Sequence, residues 1–364
     1  MRLKIISFTG KGAEQTVRLC KKLNVWEYEC TGYTLTRLAG KHGLEELPEN
    51  IVEWIGKLWG ECAFVFVGAA GIAVRMISPW VKDKFTDSPV IVMDEKGQYV
   101  IPLLSGHVGG AVETARKIAS CTGGVAVITT ATDVQGRFAV DVFAKKNNLI
   151  ITDRVLAKKI SAAVLEGEKI GFYSEYPGEL YFQDEKQKIP DEVVLCRKKE
   201  ELSDFPYGIK VEQEDRRTSA ENVLTLLPKN LIVGVGCRKG ISCNKLEEGI
   251  TEILEKKCLR KEQVQVIVSI ELKKDEEGLI KLCDSWKVPY ITYSREELLE
   301  IKEVSSHSSF VEKVTGVDNV CERAVKRYQE EHYSDRSDKR DTRAAMIQEK
   351  LCLDSMTVAI GCVW

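Results

Sequence analysis

The sequence predicts an α/β protein: two α/β domains with mainly parallel sheets and a smaller α+β middle domain. Short β-branched, apolar runs alternate with helical patterns near both ends of the chain, as in strand–helix–strand units. Residues 62–67 are apolar throughout, which is typical of a parallel strand buried on both faces. Residues 136–228 are instead dense in charge and contain no glycine-rich loop. We therefore predict an N-terminal domain at 1–135, a middle domain at 136–228 and a C-terminal domain at 229–364.

In the N-terminal domain, each element follows from the spacing of its apolar residues. Alternating or fully apolar runs predict strands, and apolar residues that recur every three or four positions predict helices. A polar turn at 94–98 joins two of the strands. The predicted strands are 3–8, 62–67, 89–94, 99–104 and 125–130, and the predicted helices are 10–23, 48–59 and 109–119.

The same reasoning gives the elements of the other two domains. The nearly all-polar stretch 330–342 is predicted to be a loop. In the middle domain we predict a helix at 149–165 and strands at 171–176 and 193–197. In the C-terminal domain the predicted strands are 231–235, 264–270, 289–293 and 356–363, and the predicted helices are 246–257, 276–286 and 317–328.

Composition excludes several classes of function. The 364 residues include 53 basic and 55 acidic side chains, a net charge of −2, so no bulk attraction to nucleic acid is expected. The longest apolar stretch, 62–74, is shorter than the roughly 18 residues of a membrane span. The first eight residues are too polar for a signal peptide, and twelve cysteines occur without a CxxC pair or zinc-finger spacing. We expect a cytoplasmic protein with reduced thiols and no metal site.

Three glycine-containing loops, at 68–71, 105–110 and 234–240, each follow a predicted strand. Ligands of open α/β sheets bind outside the carboxyl ends of strands, where glycines let backbone N–H groups approach them. The loops therefore predict a ligand-lined crevice, although the glycines could equally serve tight turns. The third loop nearly matches the GxGxxG fingerprint of dinucleotide-binding loops, so a dinucleotide-dependent oxidoreductase is kept as an alternative. Its last spacing is one residue too long for that fingerprint.

His107 is the strongest single candidate for a catalytic residue. It lies between glycines directly after the predicted strand 99–104, and a histidine there can titrate near neutral pH. It could activate water or protonate a leaving oxygen, and Asp87 could orient a base. The alternative is a histidine that caps a helix.

Two further segments supply polar and charged groups. The run 75–87 contains Arg75 and Lys84, which could bind carboxylates or form a solvated face. Thr129 and Thr130 end the predicted strand 125–130 and could hydrogen-bond a polar ligand or cap the next helix.

These motifs together resemble those of a known family. The segments Ser105-Gly106-His107-x-Gly109-Gly110 and 129–133 (Thr-Thr-Ala-Thr-Asp) resemble the N-terminal signature of the CbiG family, the cobalt-precorrin-5A hydrolases. The loop 234–240 and the later segments 320–322 and 357–360 resemble its C-terminal domain, which is shared with CobE. One departure is Val112, where the family commonly has asparagine, so any role of that amide is missing from this chain.

The resemblance implies a reaction. Enzymes of this family hydrolyse a δ-lactone on a cobalt-bearing tetrapyrrole and release a two-carbon fragment as acetaldehyde. No protein-bound cofactor is then expected, because cobalt travels in the substrate. His107 would be the base, with Asp133 or Asp87 orienting it, and the N–H groups of Gly109 and Gly110 would hold the oxyanion. A non-catalytic carrier of corrinoid intermediates remains an alternative.

The partners implied are the corrinoid substrate, water and, by channelling, neighbouring enzymes of the same pathway. Basic side chains would hold the carboxylates of the macrocycle. The residues expected to contact substrate are Arg75, Lys84, Ser105, Gly106, Gly109, Gly110, Thr129, Thr130, Gly236, Arg238, Lys239 and Glu322.

Overall fold

The computed structural model describes residues 1–26, 28–83, 86–106, 109–176, 181–182, 189–216, 221–333 and 344–363. Contacts divide the chain into two compact units. Unit 1 comprises residues 1–145 and 161–167, and unit 2 comprises 146–160 and 168–364. The three domain boundaries expected from composition remain a prediction.

Unit 1 is built on a seven-stranded sheet with the strand order β3-β2-β1-β4-β5-β6-β7. Its strands are β1 (Arg2–Ser7), β2 (Glu29–Thr34), β3 (Glu45–Glu46), β4 (Ala63–Val67), β5 (Val90–Met93), β6 (Tyr99–Leu104) and β7 (Val125–Ala126). The strands β1 to β5 pair in parallel, whereas β6 is antiparallel to β5 and β7 is parallel to β6. The carboxyl ends of β6 and β7 therefore lie at the opposite end of the sheet from those of β1 to β5.

In the described part of the chain, buried side chains form a core on each face of the seven-stranded sheet and of the sheet that contains 231–237 and 356–362, and α-helices pack against these cores. The helices of the chain are, in order, α1 (Gly10–Leu23), α2 (Thr36–His42), α3 (Ile51–Lys57), α4 (Ala70–Ile77), α5 (Ala111–Thr122), α6 (Ala131–Gln135), α7 (Val140–Lys146), α8 (Arg154–Leu165), α9 (Cys243–Lys256), α10 (Glu277–Trp286), α11 (Arg295–Glu300), α12 (Ser309–Thr315) and α13 (Val320–Tyr333).

The alternation of side chains along β4 shows how the sheet of unit 1 is buried. Val65 and Val67 join the core under α1 and α5, whereas Phe64 and Phe66 join the core on the other face. All four side chains are buried. A strand of this kind has no solvated face, which explains its uninterrupted apolar sequence.

Unit 2 contains two five-stranded sheets. The first has the order β10-β9-β11-β12-β8, with β8 antiparallel to β12 and the other pairs parallel. This sheet is mainly parallel, as the seven-stranded sheet is, which the charge-rich sequence of the segment did not indicate. Its strands are β8 (Leu149–Ile151), β9 (Ile170–Ser174), β10 (Val193–Leu195), β11 (Gly208–Val211) and β12 (Val223–Pro228).

The second sheet of unit 2 has the order β15-β14-β13-β17-β16. The strands β13, β14 and β15 are parallel, and β17 and β16 continue the sheet as antiparallel strands. Its strands are β13 (Leu231–Cys237), β14 (Val264–Ile270), β15 (Tyr290–Tyr293), β16 (Ala345–Leu353) and β17 (Met356–Cys362). The carboxyl ends of β13 and β14 thus lie beside the β16–β17 turn.

The fold class predicted from the sequence is confirmed, but several elements differ. The predicted helix 149–165 is wrong at its start, because 149–151 pair with β12 and Asp153 then caps α8 through the N–H groups of Val155 and Leu156. The predicted strand 125–130 is wrong beyond Ala126, and α6 begins at Ala131. The predicted loop 330–342 is wrong at its start because α13 extends to Tyr333; its remainder lies outside the described residues.

Candidate functional site

The Ser105 loop, residues 105–110, is anchored through its backbone. Ser105 has a φ of +54°, and its hydroxyl donates to the carbonyl oxygen of Asp87 at 2.9 Å. The N–H groups of Ala111 and Val112 donate to the carbonyls of Ser105 and Gly106. These bonds satisfy two donors at the start of α5 and fix where the loop leaves β6.

Gly109 and Gly110 are required at the end of this loop for different reasons. A Cβ on Gly109 would lie 2.5 Å from the Cβ of Ser105 and 2.6 Å from its carbonyl oxygen. Gly110 has a φ of +90° and is the residue that precedes α5. The close approach of residue 109 to Ser105 and the positive φ of residue 110 therefore both favour glycine, which accounts for the Gly-Gly pair in the motif.

The Thr-Thr-Ala-Thr-Asp segment comes to the same end of the sheet as the Ser105 loop, because β7 is parallel to β6. The hydroxyl oxygen of Thr130 lies 3.9 Å from the position that a Cβ on Gly106 would occupy. Asp133, in the first turn of α6, accepts from Arg116 of α5 at 3.1 Å. The structure thus brings together the two motifs that carried the resemblance.

The Gly68 loop, residues 68–71, does not share this location. It follows β4, whose carboxyl end is at the other end of the sheet. The expectation that the Gly68 and Ser105 loops line one crevice is therefore wrong. The reason is the reversal of β6. The rule that ligands bind at the carboxyl ends of strands, called here the strand-end rule, brings two loops together only when their strands run the same way.

Asp87 is buried, and both of its carboxylate oxygens accept hydrogen bonds. Both of its carboxylate oxygens accept from the backbone N–H of Lys82, and Oδ1 also accepts from the indole N–H of Trp59 at 3.2 Å. This arrangement closes the turn before β5. Its predicted role in orienting a base remains a prediction.

A polar pocket of about 280 Å³ opens beside the Ser105 loop. We call it the N-terminal pocket; its walls are Met1, Tyr28, Gly109, Gly110, Glu113, Thr114, Lys117 and Lys145. Glu113 and Lys117, one turn apart on α5, form an ion pair of 2.9 Å. Hydrogen bonding from Lys117 lowers the pKa of Glu113, so this carboxylate is ionised at neutral pH.

A larger pocket of about 490 Å³ lies in unit 2, at the carboxyl ends of β13 and β14. We call it the C-terminal pocket. Its walls are mostly apolar, with Val311 and Val314 of α12 on one side and Met356 on another. Three cations line it as well: Arg238, Lys239 and Lys273. An apolar cavity that carries cations suits a ligand with an apolar body and anionic substituents.

Two polar details define the C-terminal pocket further. Lys273 pairs with Glu276 at 3.0 Å, and Glu276 also accepts from the N–H of Gly240, which ties the loop after β13 to the segment after β14. Burial raises the pKa of the Cys237 thiol to about 11, against a smaller opposing effect of Lys273. The thiol is therefore protonated at neutral pH and is a poor nucleophile.

Two of the three glycines of the 234–240 loop serve close packing. A Cβ on Gly234 would lie 2.1 Å from the carbonyl oxygen of Cys321 in α13, and one on Gly236 would lie 2.6 Å from the hydroxyl of Thr357 in β17. Both glycines are thus explained by their neighbours in the fold. Together with the irregular spacing, this argues against a dinucleotide loop.

Comparison with known proteins identifies the family. Family models match residues 53–133 (cobalamin synthesis G N-terminal), 138–280 (cobalamin biosynthesis central region) and 231–361 (cobalamin synthesis G C-terminus). The cobalt-precorrin-5A hydrolase of Salmonella typhimurium is 34% identical over 271 residues, covering 71% of this chain and 73% of that protein. The chain belongs to the cobalamin synthesis G (CbiG) family.

Two further relatives extend the match. The cobalt-precorrin-5A hydrolase of Priestia megaterium is 33% identical and covers 72% of both chains. A probable cobalt-precorrin-5A hydrolase of Methanocaldococcus jannaschii is 30% identical over 329 residues, covering 89% of this chain and 88% of that protein. The resemblance recognised from the motifs is thereby confirmed as family membership.

The remaining predicted residues of this CbiG-family chain occupy varied surroundings. Arg75 is exposed and donates to the carbonyl of Gly71 in its own helix. Thr129 is exposed, as are Arg238 and Lys239 beside the C-terminal pocket. Glu322 is buried and accepts from the hydroxyl and N–H of Ser305 and from the N–H of Lys350. His107 and Lys84 lie outside the described residues.

Within the described part of this CbiG-family chain, no group of three or more histidine, cysteine, aspartate or glutamate residues is arranged to hold a metal ion. In that same part, no helix is long and apolar enough to cross a membrane. The cobalt in the names of the relatives is part of the compound on which they act.

Sequence reasoning missed several residues that line the two pockets. Lys273 follows β14 just as Arg238 follows β13, so the strand-end rule could have found it. Glu113 and Lys117 lie four residues apart on a predicted helix, which is a visible signal for a shared face. Lys145 gave no such signal, because only the fold of unit 1 brings it beside Gly110.

Proposed function

We propose that this chain is a cobalt-precorrin-5A hydrolase of cobalamin biosynthesis. The observation that carries the proposal is its relatedness to proteins of that name across 71–89% of its length. The convergence of the Ser105 loop with the Thr130 segment at one end of the sheet supports it. The fold alone would not support the proposal, since α/β sheets host many activities.

The proposed chemistry begins with water. Water attacks the carbonyl carbon of the δ-lactone, the ring oxygen leaves as an alcohol, and the water oxygen stays in the new carboxylate. The alcohol then loses its proton as the adjacent carbon–carbon bond breaks, which releases the two-carbon fragment as acetaldehyde. The electron pair of that bond remains in the conjugated macrocycle. The first step needs a base for water and donors for the oxyanion.

The proposal assigns these tasks to the Ser105 loop. His107 would take the proton from water, as its place between glycines suggests. The backbone N–H groups of Gly109 and Gly110 would stabilise the oxyanion, because glycine leaves no side chain between them and a ligand. Asp133 is already ion-paired with Arg116, so any orienting contact to His107 would be shared with that arginine.

Within unit 2, the proposal assigns substrate contacts to residues of the C-terminal pocket. Its apolar walls suit a conjugated ring, and Arg238, Lys239 and Lys273 suit the carboxylates at the ring periphery. The chain would need no cofactor of its own, because cobalt arrives with the substrate. The proposal places the enzyme in the cytoplasm, where its twelve cysteines would stay reduced, and allows channelling from neighbouring pathway enzymes.

Acetaldehyde release tests the proposal directly. Purified protein is incubated anaerobically with cobalt-precorrin-5A, and acetaldehyde is measured alongside the spectrum of the corrinoid. Stoichiometric acetaldehyde is expected, with multiple turnovers. Tight binding of the corrinoid without acetaldehyde would favour the carrier function and overturn the hydrolase proposal. Titration with NADPH, followed by fluorescence, is expected to show no saturable binding.

A further inference from the structure

The three cations of the C-terminal pocket differ in how firmly they are held. Arg238 and Lys239 follow β13 and are exposed, whereas Lys273 follows β14 and its side chain is 16% exposed. Solvent and salt screen exposed charges more strongly than partly buried ones. Lys273 is therefore the cation whose charge acts most strongly on a ligand inside the pocket.

Lys273 is held at its backbone and at its amine. It ends a 3-10 turn, Glu271–Lys273, and its carbonyl oxygen accepts from the hydroxyl of Tyr290 at 2.9 Å. Its Nζ donates to Oε2 of Glu276 at 3.0 Å. A free lysine side chain samples many rotamers, and ordering it on binding costs entropy. The two bonds reduce that cost, because the side chain is ordered before a ligand arrives.

Glu276 uses both of its carboxylate oxygens and is buried. Oε2 accepts from Lys273, and Oε1 accepts from the backbone N–H of Gly240 at 2.7 Å. The same side chain thus connects the loop that carries Arg238 and Lys239 to the segment that carries Lys273. Glu276 therefore fixes the amine of Lys273 relative to the other two cations of the pocket.

The amine of Lys273 retains capacity for a ligand. An ammonium group has three N–H donors, and among the described residues Glu276 is the one acceptor that it contacts. Its charge acts on the wall of the pocket, because burial raises the pKa of the Cys237 thiol to about 11 and Lys273 opposes that rise. The pocket walls are mostly apolar, so a ligand oxygen could replace water as the next acceptor.

We propose that Lys273, positioned by Glu276, binds one carboxylate of the ligand inside the C-terminal pocket and sets the orientation of that ligand. Arg238 and Lys239 attract further anionic groups without fixing them. The ligand class is an apolar body with a carboxylate on a short flexible arm. A neutral compound of the same shape binds less tightly, because it removes water from the amine without replacing the charged hydrogen bond.

The inference rests on the proposed function for the identity of the natural ligand. The peripheral carboxylates of the proposed macrocycle are alike in charge, so exposed cations alone would accept the ring in several rotations. A carboxylate bound at one fixed cation leaves fewer of these rotations, and holding a reactant in one orientation contributes to catalysis. Glu276 is a positioning residue in this scheme, since it acts through Lys273.

The test uses 1-pyrenebutyrate as the probe and 1-pyrenebutanol as its neutral counterpart. Both carry the same fused aromatic body on an arm of equal length, and they differ only in the terminal group. Binding to the full-length protein is followed by the pyrene emission spectrum, which changes when the ring leaves water. The wild type is expected to bind the carboxylate about tenfold or more tightly than the alcohol and to keep most of that preference in about 0.5 M sodium chloride.

The substitutions Lys273→Met and Lys239→Met compare the fixed cation with an exposed one in the same pocket. Lys273→Met should weaken binding of the carboxylate about tenfold at low and high salt and leave binding of the alcohol unchanged. Lys239→Met should weaken binding of the carboxylate by about threefold or less, and only at low salt. Binding of the alcohol also reports whether the pocket of each variant is intact.

The substitution Glu276→Gln tests the positioning role. Glutamine offers one acceptor atom in place of two, so the bond from Lys273 or the bond from Gly240 is lost. Removing a negative charge should by itself tighten binding of an anion, whereas removing a positioning residue should weaken it. We expect carboxylate binding to weaken by about threefold or more, with alcohol binding unchanged.

Equal binding of the carboxylate and the alcohol by the wild type would overturn the inference, as would equal losses in Lys273→Met and Lys239→Met. Loss of alcohol binding in Lys273→Met would also overturn it, in favour of a structural lysine. Tighter carboxylate binding by Glu276→Gln would exclude the positioning role. The assay contains no corrinoid. Selection of the carboxylate without acetaldehyde release by the wild type would sink the hydrolase proposal and leave the inference standing, and the converse result would do the reverse.

Discussion

The hydroxyl of Ser105 donates to the backbone carbonyl of Asp87, at 2.9 Å. This bond ties the loop after β6 to the turn before β5. The carboxylate of Asp87 in turn holds that turn closed through the N–H of Lys82. The Ser105 loop is therefore attached to the backbone of Asp87, in a turn that the side chain of the same residue helps to close.

The substitution Gly109→Ala should displace the Ser105 loop. A Cβ at 2.5 Å from that of Ser105 cannot be accommodated without backbone movement, so turnover should fall at least about tenfold and stability by about 1–3 kcal/mol. Gly40→Ala is the control: Gly40 is exposed in α2 with nothing near the added methyl, and alanine there should raise stability slightly. Acetaldehyde release and urea unfolding measure both, and wild-type turnover in Gly109→Ala would refute the packing argument.

The substitution Asp87→Asn should act through stability. An amide cannot accept with both terminal atoms, so one bond from Lys82 is lost and unfolding free energy should drop by about 1–3 kcal/mol. Turnover measured well below the melting temperature should stay within about threefold of the wild type. A loss of a hundredfold or more in folded protein would instead support the orienting role. The exposed Asp284→Asn serves as the control for a charge change.

The substitution Glu322→Gln should destabilise the protein in a pH-dependent way. Burial by itself would raise the pKa of Glu322, but hydrogen bonds from Ser305 and Lys350 outweigh it and lower the pKa. A lowered folded-state pKa contributes stability that is present above the ordinary value of about 4.3 and is lost as pH falls through the folded value. The gap in urea midpoint should therefore be largest near neutral pH and narrow below about pH 4. The exposed Glu312→Gln should show no such gap, and a gap that is constant with pH would count against the argument.

The substitution Arg238→Ala should weaken corrinoid binding without affecting folding. Arg238 is exposed and lines the C-terminal pocket, so its loss removes a charge but no buried contact. Affinity should fall about three- to tenfold at low salt, and the difference should shrink as salt is added. Lys274→Ala, an exposed lysine paired with Glu271, is the control. Unchanged affinity at low salt would exclude Arg238 from the site.

The two variants His107→Ala and His107→Gln should separate three roles. A general base contributes about 10²–10⁴ in rate, so both should lose that much turnover with little change in affinity. If the histidine only positions a substrate carboxylate, glutamine should restore much of the activity. If it caps a helix, both variants should lose about 0.5–2 kcal/mol of stability and keep their turnover. Turnover, affinity and melting temperature decide among these outcomes.

Much of the fold could be predicted from apolar periodicity. The helix at 10–23 and the strands at 99–104 and 264–270 match the structure at both ends, because their apolar residues are consistent with one period throughout. The strand β16 was missed because its residues are only partly buried and charged residues interrupt it. Such strands are specified by pairing with a neighbour, which one segment of sequence does not reveal.

The candidate site was predicted in its motifs but not in its assembly. The five-residue turn at 94–98 is too short to connect parallel strands, so the sequence did contain the signal that β6 runs against β5. Applying the strand-end rule without that signal led to the incorrect crevice. Lys145 could not have been found this way, because its approach to Gly110 is a product of tertiary packing.

The reversal of β6 also affects how the sheet of unit 1 assembles. The pairings of β5 with β6 and of β6 with β7, and the packing of α5 on both β6 and β7, all close within residues 90–126. By contrast, Leu3 of β1 must find Ala63 of β4 across a long intervening chain. Contacts between residues close in sequence cost less loop-closure entropy and form sooner. The strands β4 to β7 and the strands β1 to β3 are thus two parts of the sheet that each close by pairings between nearby segments, and the pairing of β1 with β4, which joins the two parts, should form last.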